Sequence, residues 1–143
     1  MLNEPSWLEN IGDRGVRTLA DAEGYIKNNI WAAYRTCGFG LYAVELKPIP
    51  MPIGLCGLVQ RDFLSSPDLG FALLPDYVGH GYATEAARAV IAYAHATLRI
   101  AQLYAIVQPG NERSVSLLGR LGFKRTTSAV AAEPGIELFQ LRA

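Results

Sequence analysis

The order of apolar and polar residues divides the chain into alternating helical and extended stretches. From 18 to 35, Leu19, Ala22, Ile26, Ile30 and Ala33 recur at helical spacing, and Thr18 with Asp21 opens the stretch as a cap. A meander follows. Phe39 to Leu46, Ile53 to Gln60 and Leu69 to Leu74 read as strands, parted by Lys47-Pro48-Ile49-Pro50 and Ser65-Ser66-Pro67. Ala83, Ala87, Val90, Ile91, Ala94 and Leu98 then form one apolar stripe on a helix that leaves Glu85, Arg88 and His95 on other faces, so His95 is expected at the surface. Leu103 to Val107 is an apolar run of strand length, Asn111 to Leu121 reads as a helix, and Phe123 to Ala129 and Gly135 to Leu141 read as closing strands. The succession predicts an α+β fold, a mixed and mainly antiparallel central sheet flanked by helices, with the helix after residue 80 crossing between strands 69–74 and 103–107.

Composition narrows the class without choosing a function. At 143 residues, half of them apolar, the chain is expected to form one domain over 1–143 with a real core. Thirteen basic residues balance thirteen acidic ones, so nothing points to nucleic acid as the main partner. The sequence holds no apolar run long enough to span a bilayer, and Met1-Leu2-Asn3-Glu4-Pro5 lacks the regions of a signal peptide; a cytoplasmic protein is expected, with no membrane partner. Cys37 and Cys56 are too few for a disulfide framework and have no histidine at metal-ligand spacing, so both are read as reduced structural thiols and no metal is expected.

The most informative stretch is Tyr77-Val78-Gly79-His80-Gly81-Tyr82-Ala83-Thr84-Glu85-Ala86, a glycine-rich turn that runs from a strand ended by Pro75 into the striped helix. The first amides of a helix have no internal partner, and with the dipole they favour a phosphate group there. Gly79 and Gly81 allow positive φ and a close ligand approach. An NTPase phosphate loop is a poor match, because the Gly-x-x-x-x-Gly-Lys-Ser/Thr spacing and its lysine are missing. A dinucleotide site fits no better: Thr84 stands at the third glycine position and no acidic residue closes a following strand. A plain turn without a ligand remains open on the glycines alone. Downstream, Gln108-Pro109-Gly110-Asn111-Glu112-Arg113-Ser114 repeats the strand, turn, helix order. Asn111 can cap that helix by accepting the amide of Arg113 or Ser114, and Gly122 can end it before Phe123.

Together these segments resemble the GNAT family of N-acetyltransferases. The first is similar to that family's acetyl-CoA pyrophosphate turn, and Asn111-x-x-Ser114 through Leu121-Gly122-Phe123 to its second cofactor motif. The wording is closest to the ribosomal-protein acetyltransferase branch, with Val78 in place of a tryptophan; Pro52-Ile53-Gly54-Leu55-Cys56-Gly57-Leu58 extends the likeness, which covers roughly residues 18 to 142. The resemblance implies that strands 69–74 and 103–107 splay apart around the pantetheine arm of acetyl-CoA. Phe71, Ala72, Leu73 and Leu74 would offer backbone groups to the arm. The stretch Val78, Gly79, His80, Gly81, Tyr82, Ala83 and Thr84 would hold the pyrophosphate, and Asn111 and Ser114 would contact the arm from the other side. Relatives begin with a strand and half a helix that have no counterpart here, so Met1 would fall inside that first helix. The strand from Phe39 would be left as a bare edge, which invites pairing with another chain as a homodimer; a truncated or mis-started reading frame would give the same sequence.

The implied chemistry is direct transfer of an acetyl group from acetyl-CoA to an amine, a protein N-terminus or a small molecule. The ammonium must first lose a proton, so a general base is wanted. Asp68, at the start of the splayed strand where relatives often place an acid, is the leading candidate, set against a solvated turn carboxylate; Glu45 and Tyr42 follow. Many relatives carry an acidic tyrosine where Leu118 stands here. Ser114 could donate that proton, or could serve only as a cofactor contact or first-turn residue. His80 reads as an exposed turn residue near phosphate. The vacancy at Leu118 and the short start also admit an acyl-CoA-binding protein of the same fold without efficient catalysis.

Overall fold

Alternation in the three extended stretches becomes an antiparallel meander of β1 (Leu41–Glu45), β2 (Pro52–Val59) and β3 (Asp68–Leu73). The computed structural model of the protein describes residues 1–127 and 135–143. Within them β4 (Gln102–Val107), β5 (Lys124–Arg125) and β6 (Glu137–Arg142) complete a six-stranded sheet of order β1-β2-β3-β4-β6-β5, in which only β3 and β4 run parallel. This is the expected mixed, mainly antiparallel sheet. The strand expected from Phe123 is realised at Lys124–Arg125, and its last positions, 128 and 129, lie outside the described residues. Helices α1 (Pro5–Asn10), α2 (Leu19–Tyr25), α3 (Ala32–Cys37), α4 (Tyr82–Ala96) and α5 (Glu112–Arg120) flank the sheet. The first helix begins at Pro5, with the proline at its first position, rather than being entered at Met1 as the resemblance implied.

The cap at Thr18 forms as a reciprocal box: Asp21 N donates to Thr18 Oγ1 at 3.1 Å, and Thr18 N donates to Asp21 Oδ2 at 2.9 Å. The stripe behind it does not survive intact. A π-helical turn, Ile26–Trp31, joins α2 to α3, and each of its turns takes in more residues than an α-turn. That shift of phase carries Ile26 out to 39% exposure, while Leu19, in the first turn, is 86% exposed. Gly38, at φ +75, closes α3 in the left-handed cap glycine favours.

The core lies between the sheet and helices α4 and α5. Ala87, Val90 and Ala94 of α4 and Leu118 of α5 meet Cys56, Leu58, Leu69, Leu103, Ala105 and Phe139. His95 is half-buried rather than at the surface. The chain turns back through Arg99, at φ 58, and sets the Ile100 carbonyl 2.6 Å from His95 Nδ1, so that nitrogen carries the proton.

Candidate active site

The parallel pair β3 and β4 is joined at one place only. Asp68 is opposite Tyr104, and Tyr104 N donates to the Pro67 carbonyl at 2.9 Å; beyond that point the strands part. α4 leaves the open end of β3 and α5 the open end of β4, which wedges the gap. Strand alternation decides which groups face it. Leu74 N donates to Ile53 O at 2.8 Å, so Leu74 and Ala72 turn their backbone toward β2, while Phe71 and Leu73 turn theirs into the gap. Ala143 N bonds Ala101 O, so by the same period Tyr104 and Ile106 face the gap from β4. Of the four residues expected to present backbone groups, Ala72 and Leu74 therefore do not: Ala72 is paired with Leu55 of β2, and Leu74 gives its N–H to Ile53 and accepts Tyr77 N at 3.0 Å.

At the open end stands the glycine turn. Gly79 and Gly81 hold φ of +87 and +86 around His80, a concave run of amides of the kind that cradles anions. Among the described residues no side chain caps α4. Its first internal bond is Glu85 N to Gly81 O at 3.0 Å, which leaves the amides of Tyr82, Ala83 and Thr84 ahead of it. A Cβ on either glycine would meet nothing within 4 Å, so conformation, not crowding, selects glycine here. His80 is exposed, its ring stacked on Tyr82 at 5.8 Å, and it does not line the gap; nor does Leu74. Val78 does line it, at 40% exposure. On the opposite side Asn111 caps α5 by accepting Ser114 N at 3.2 Å, and Ser114 is half-buried on the cleft wall. These features enclose one end of a continuous cleft of about 2020 Å³, larger than the roughly 300–1,000 Å³ of a single small-ligand pocket, so it has room for two reactants side by side.

Asp68 sits at the closed end, 2% exposed, with its Oδ1 accepting from Arg61 Nε at 2.9 Å. It is therefore not a solvated turn carboxylate. Burial pushes its pKa up, and the Arg61 guanidinium pulls against that shift without cancelling it. Asp68 and Ser114 are thus at opposite ends of the gap and are not brought together. Glu45, exposed at the end of β1, and Tyr42 lie off the cleft. Tyr42 stacks on Tyr34 at 5.7 Å and meets Tyr93 edge-on, and burial raises its pKa, so it is poorly placed to act as a base. Leu118 is fully buried. Cys56 belongs to the core, where burial pushes its thiol up to about 12, whereas Cys37 is exposed.

Two features of the cleft have no clear signal in the sequence. Arg61 is seven residues from its partner across an irregular loop, a spacing no periodic element prescribes. Trp7 of α1 is 5% exposed and lines the cleft, yet its Nε1 is buried without a hydrogen-bond partner among the described residues, at a cost of about 1–3 kcal/mol.

Compared with known families, residues 1–124 match the acetyltransferase (GNAT) domain model. The chain belongs to the GNAT acetyltransferase family. Among solved structures it is similar to an acetyltransferase from Agrobacterium tumefaciens str. C58, with a TM-score of 0.85 and 25% identity over 99% of this chain and 81% of that one. A structure described as a ribosomal-protein-serine acetyltransferase from Vibrio cholerae shares the fold at a TM-score of 0.72 and 21% identity, covering 88% of this chain and 76% of that one. Among curated proteins it is 29% identical over 85 residues to the "Uncharacterized N-acetyltransferase p20" of Bacillus licheniformis, 59% of this chain and 48% of that protein. The match spans about half the length of the curated relatives, 51% for YkkB of Bacillus subtilis. A structure described as a ribosomal-protein-S5-alanine acetyltransferase from Vibrio fischeri likewise shares the fold, at a TM-score of 0.67 and 19% identity, covering 89% of this chain and 76% of that one. No helix among the described residues is long and apolar enough to cross a membrane.

Proposed function

We propose that the protein is an N-acetyltransferase that passes the acetyl group of acetyl-CoA directly to an amine, either a protein N-terminus or a small molecule. The observation that carries this reading is the parting of β3 and β4 beyond Asp68 and Tyr104, with an uncapped helix start and a glycine cradle at its mouth. In this reading the amides from Gly79 to Thr84 hold the pyrophosphate, with Val78 and His80 flanking it. The pantetheine arm runs back along Phe71 and Leu73, which contribute the strand-like hydrogen bonds, and Asn111 and Ser114 close over it. The thioester then lies toward the closed end. There a backbone NH of β3 can stabilise the oxyanion, and Asp68, its proton affinity raised by burial, is the group that takes the ammonium proton, directly or through water. The thiolate, with a pKa of about 8.5, leaves with little help, which lets Leu118 stand where relatives carry a tyrosine. Ser114, at the mouth, is assigned to the cofactor and held in reserve as a proton donor.

Isothermal titration of acetyl-CoA, followed by thiol release with amines and N-terminal peptides, tests the proposal. Binding with release supports it. Binding without release would favour an acyl-CoA-binding protein, a reading that the burial of Leu118 and the engagement of Asp68 by Arg61 keep in view; no binding would refute both. We further propose a cytoplasmic homodimer paired along β1, which is one of the two sheet edges among the described residues. A monomeric mass in light scattering would rule it out.

A further inference from the structure

Gly57 and Gly70 face each other across β2 and β3, but only one of them is glycine because of crowding. A Cβ on Gly57 would come within 2.1 Å of the Gly40 carbonyl oxygen. A Cβ on Gly70 would meet Leu41 Cδ2 at 3.5 Å and Val59 Cγ2 at 3.8 Å, which are ordinary contacts, and Gly70 does not have the positive φ that favours glycine. Glycine inside a strand weakens it and often marks the close approach of a ligand. Gly70 is half-buried and lines the cleft. Its neighbours Leu69 and Phe71 belong to the core with α4, so its open side is the opposite face of the sheet. Leu41, Leu55 and Val59 share that face; all three are half-buried apolar residues that line the same cleft, as does Ile30 of the π turn.

In the acetyltransferase reading above, the pantetheine arm runs along Leu73 and Phe71, and the reacting carboxyl is that of Asp68. Gly70 lies between Phe71 and Asp68, so the carbon attached to the thioester carbonyl comes to rest beside its open side. An acetyl methyl ends there and leaves Leu41, Leu55 and Val59 facing unfilled space. Further methylenes would fill it, each worth about fourfold in affinity.

Resting on that reading, we propose a further activity: the protein also transfers unbranched, uncharged acyl groups longer than acetyl, such as butyryl, from their coenzyme A thioesters, with Gly70 as the residue that sets acyl length. The bond made joins the amine nitrogen to the thioester carbonyl carbon. The bond broken is carbon–sulfur, and its electron pair leaves on the thiolate. Of the two protons the ammonium sheds, one passes through Asp68 to solvent and the other ends on the sulfur.

The test titrates the full chain with acetyl-CoA, butyryl-CoA and succinyl-CoA, the last having a carboxylate in place of the terminal methyl of butyryl. Butyryl-CoA is expected to bind about tenfold tighter than acetyl-CoA, and succinyl-CoA to show no such gain. Gly70→Val should bring the butyryl advantage below about twofold; should that variant fail to fold, Gly70→Ala should reduce it about threefold. In thiol release with alanyl peptide amide and with spermidine, the butyryl-to-acetyl ratio of kcat/KM should be near unity or above and fall about tenfold in Gly70→Val. Equal affinity for butyryl-CoA and acetyl-CoA, an advantage shared by succinyl-CoA or unchanged in the Gly70 variants, or acetyl transfer without butyryl transfer overturns the proposal. A butyryl advantage that the Gly70 variants abolish, with no thiol released from any donor, would instead refute the transferase reading and leave the acyl subsite standing.

Discussion

Replacing Arg61 with methionine keeps an unbranched stem and removes the charge that faces Asp68. Asp68 is buried, and its partner is about one-third exposed, so the two halves of the pair are unequal: Arg61 alone can turn to water, Asp68 alone cannot. Losing one member of a buried pair typically costs about 3–5 kcal/mol. Here the cost has a ceiling, because the stranded carboxyl can take up a proton. From an ordinary value of 3.8, neutralising it costs at most about 4.4 kcal/mol at pH 7 and about 1.6 kcal/mol at pH 5, at 1.36 kcal/mol per unit. The sign follows from linkage. A carboxyl whose folded pKa is raised binds more protons in the folded state, so stability is greatest below 3.8 and falls as pH climbs toward the raised folded value. Arg61→Met raises that value further. Its destabilisation should therefore be about 2–4 kcal/mol at pH 7 and shrink to less than half of that at pH 5. Adding Asp68→Asn, which leaves no stranded charge, should recover most of the loss and flatten the pH dependence. Urea unfolding followed by circular dichroism at pH 5, 6 and 7 measures both. An Arg61→Met penalty that is the same at all three would refute the argument, since it would mean the guanidinium acts through packing and not through the Asp68 charge.

Gly81→Ala meets no atom within 4 Å but must hold φ near +86; it should cost about 1–2 kcal/mol in thermal or urea unfolding and, by re-aiming the first amides of α4, weaken acetyl-CoA by tenfold or more in titration calorimetry. Leu118→Ala should cost about 2–5 kcal/mol, while Leu118→Tyr, which supplies the family's acid at a fully buried position, should lower stability without raising turnover in the thiol-release assay. A thiol reagent at pH 8 should modify one cysteine in the folded protein, Cys37, and two in denaturant, because burial lifts the Cys56 thiol to about 12; modification counted by intact mass decides it.

Much of the fold and of the site's outline was local chemistry and therefore readable along the chain. Thr18 and Asp21, Asn111 and Ser114, Gly38 and Gly122 act within a few residues of themselves, and each caps or ends a helix where its residue type demands. The glycine turn is likewise a property of ten consecutive residues. What pairing decides was not readable. Ala72 and Leu74 stand in one apolar run with Phe71 and Leu73, and only the register against β2 and the turn at Tyr77 tell which of them have their backbone groups already bonded. The phase of the first helical stripe was lost at Ile26–Trp31, since a π turn obeys no 3.6-residue period. Asp68 drew notice as an acid at a strand start, but whether it is solvated or buried, free or held, depends on Arg61 arriving from across a loop. Trp7 becomes part of the cleft for the same reason: burial, and the lack of a partner among the described residues, are relations between distant segments, and free energies of desolvation and hydrogen bonding come into play only once those segments meet.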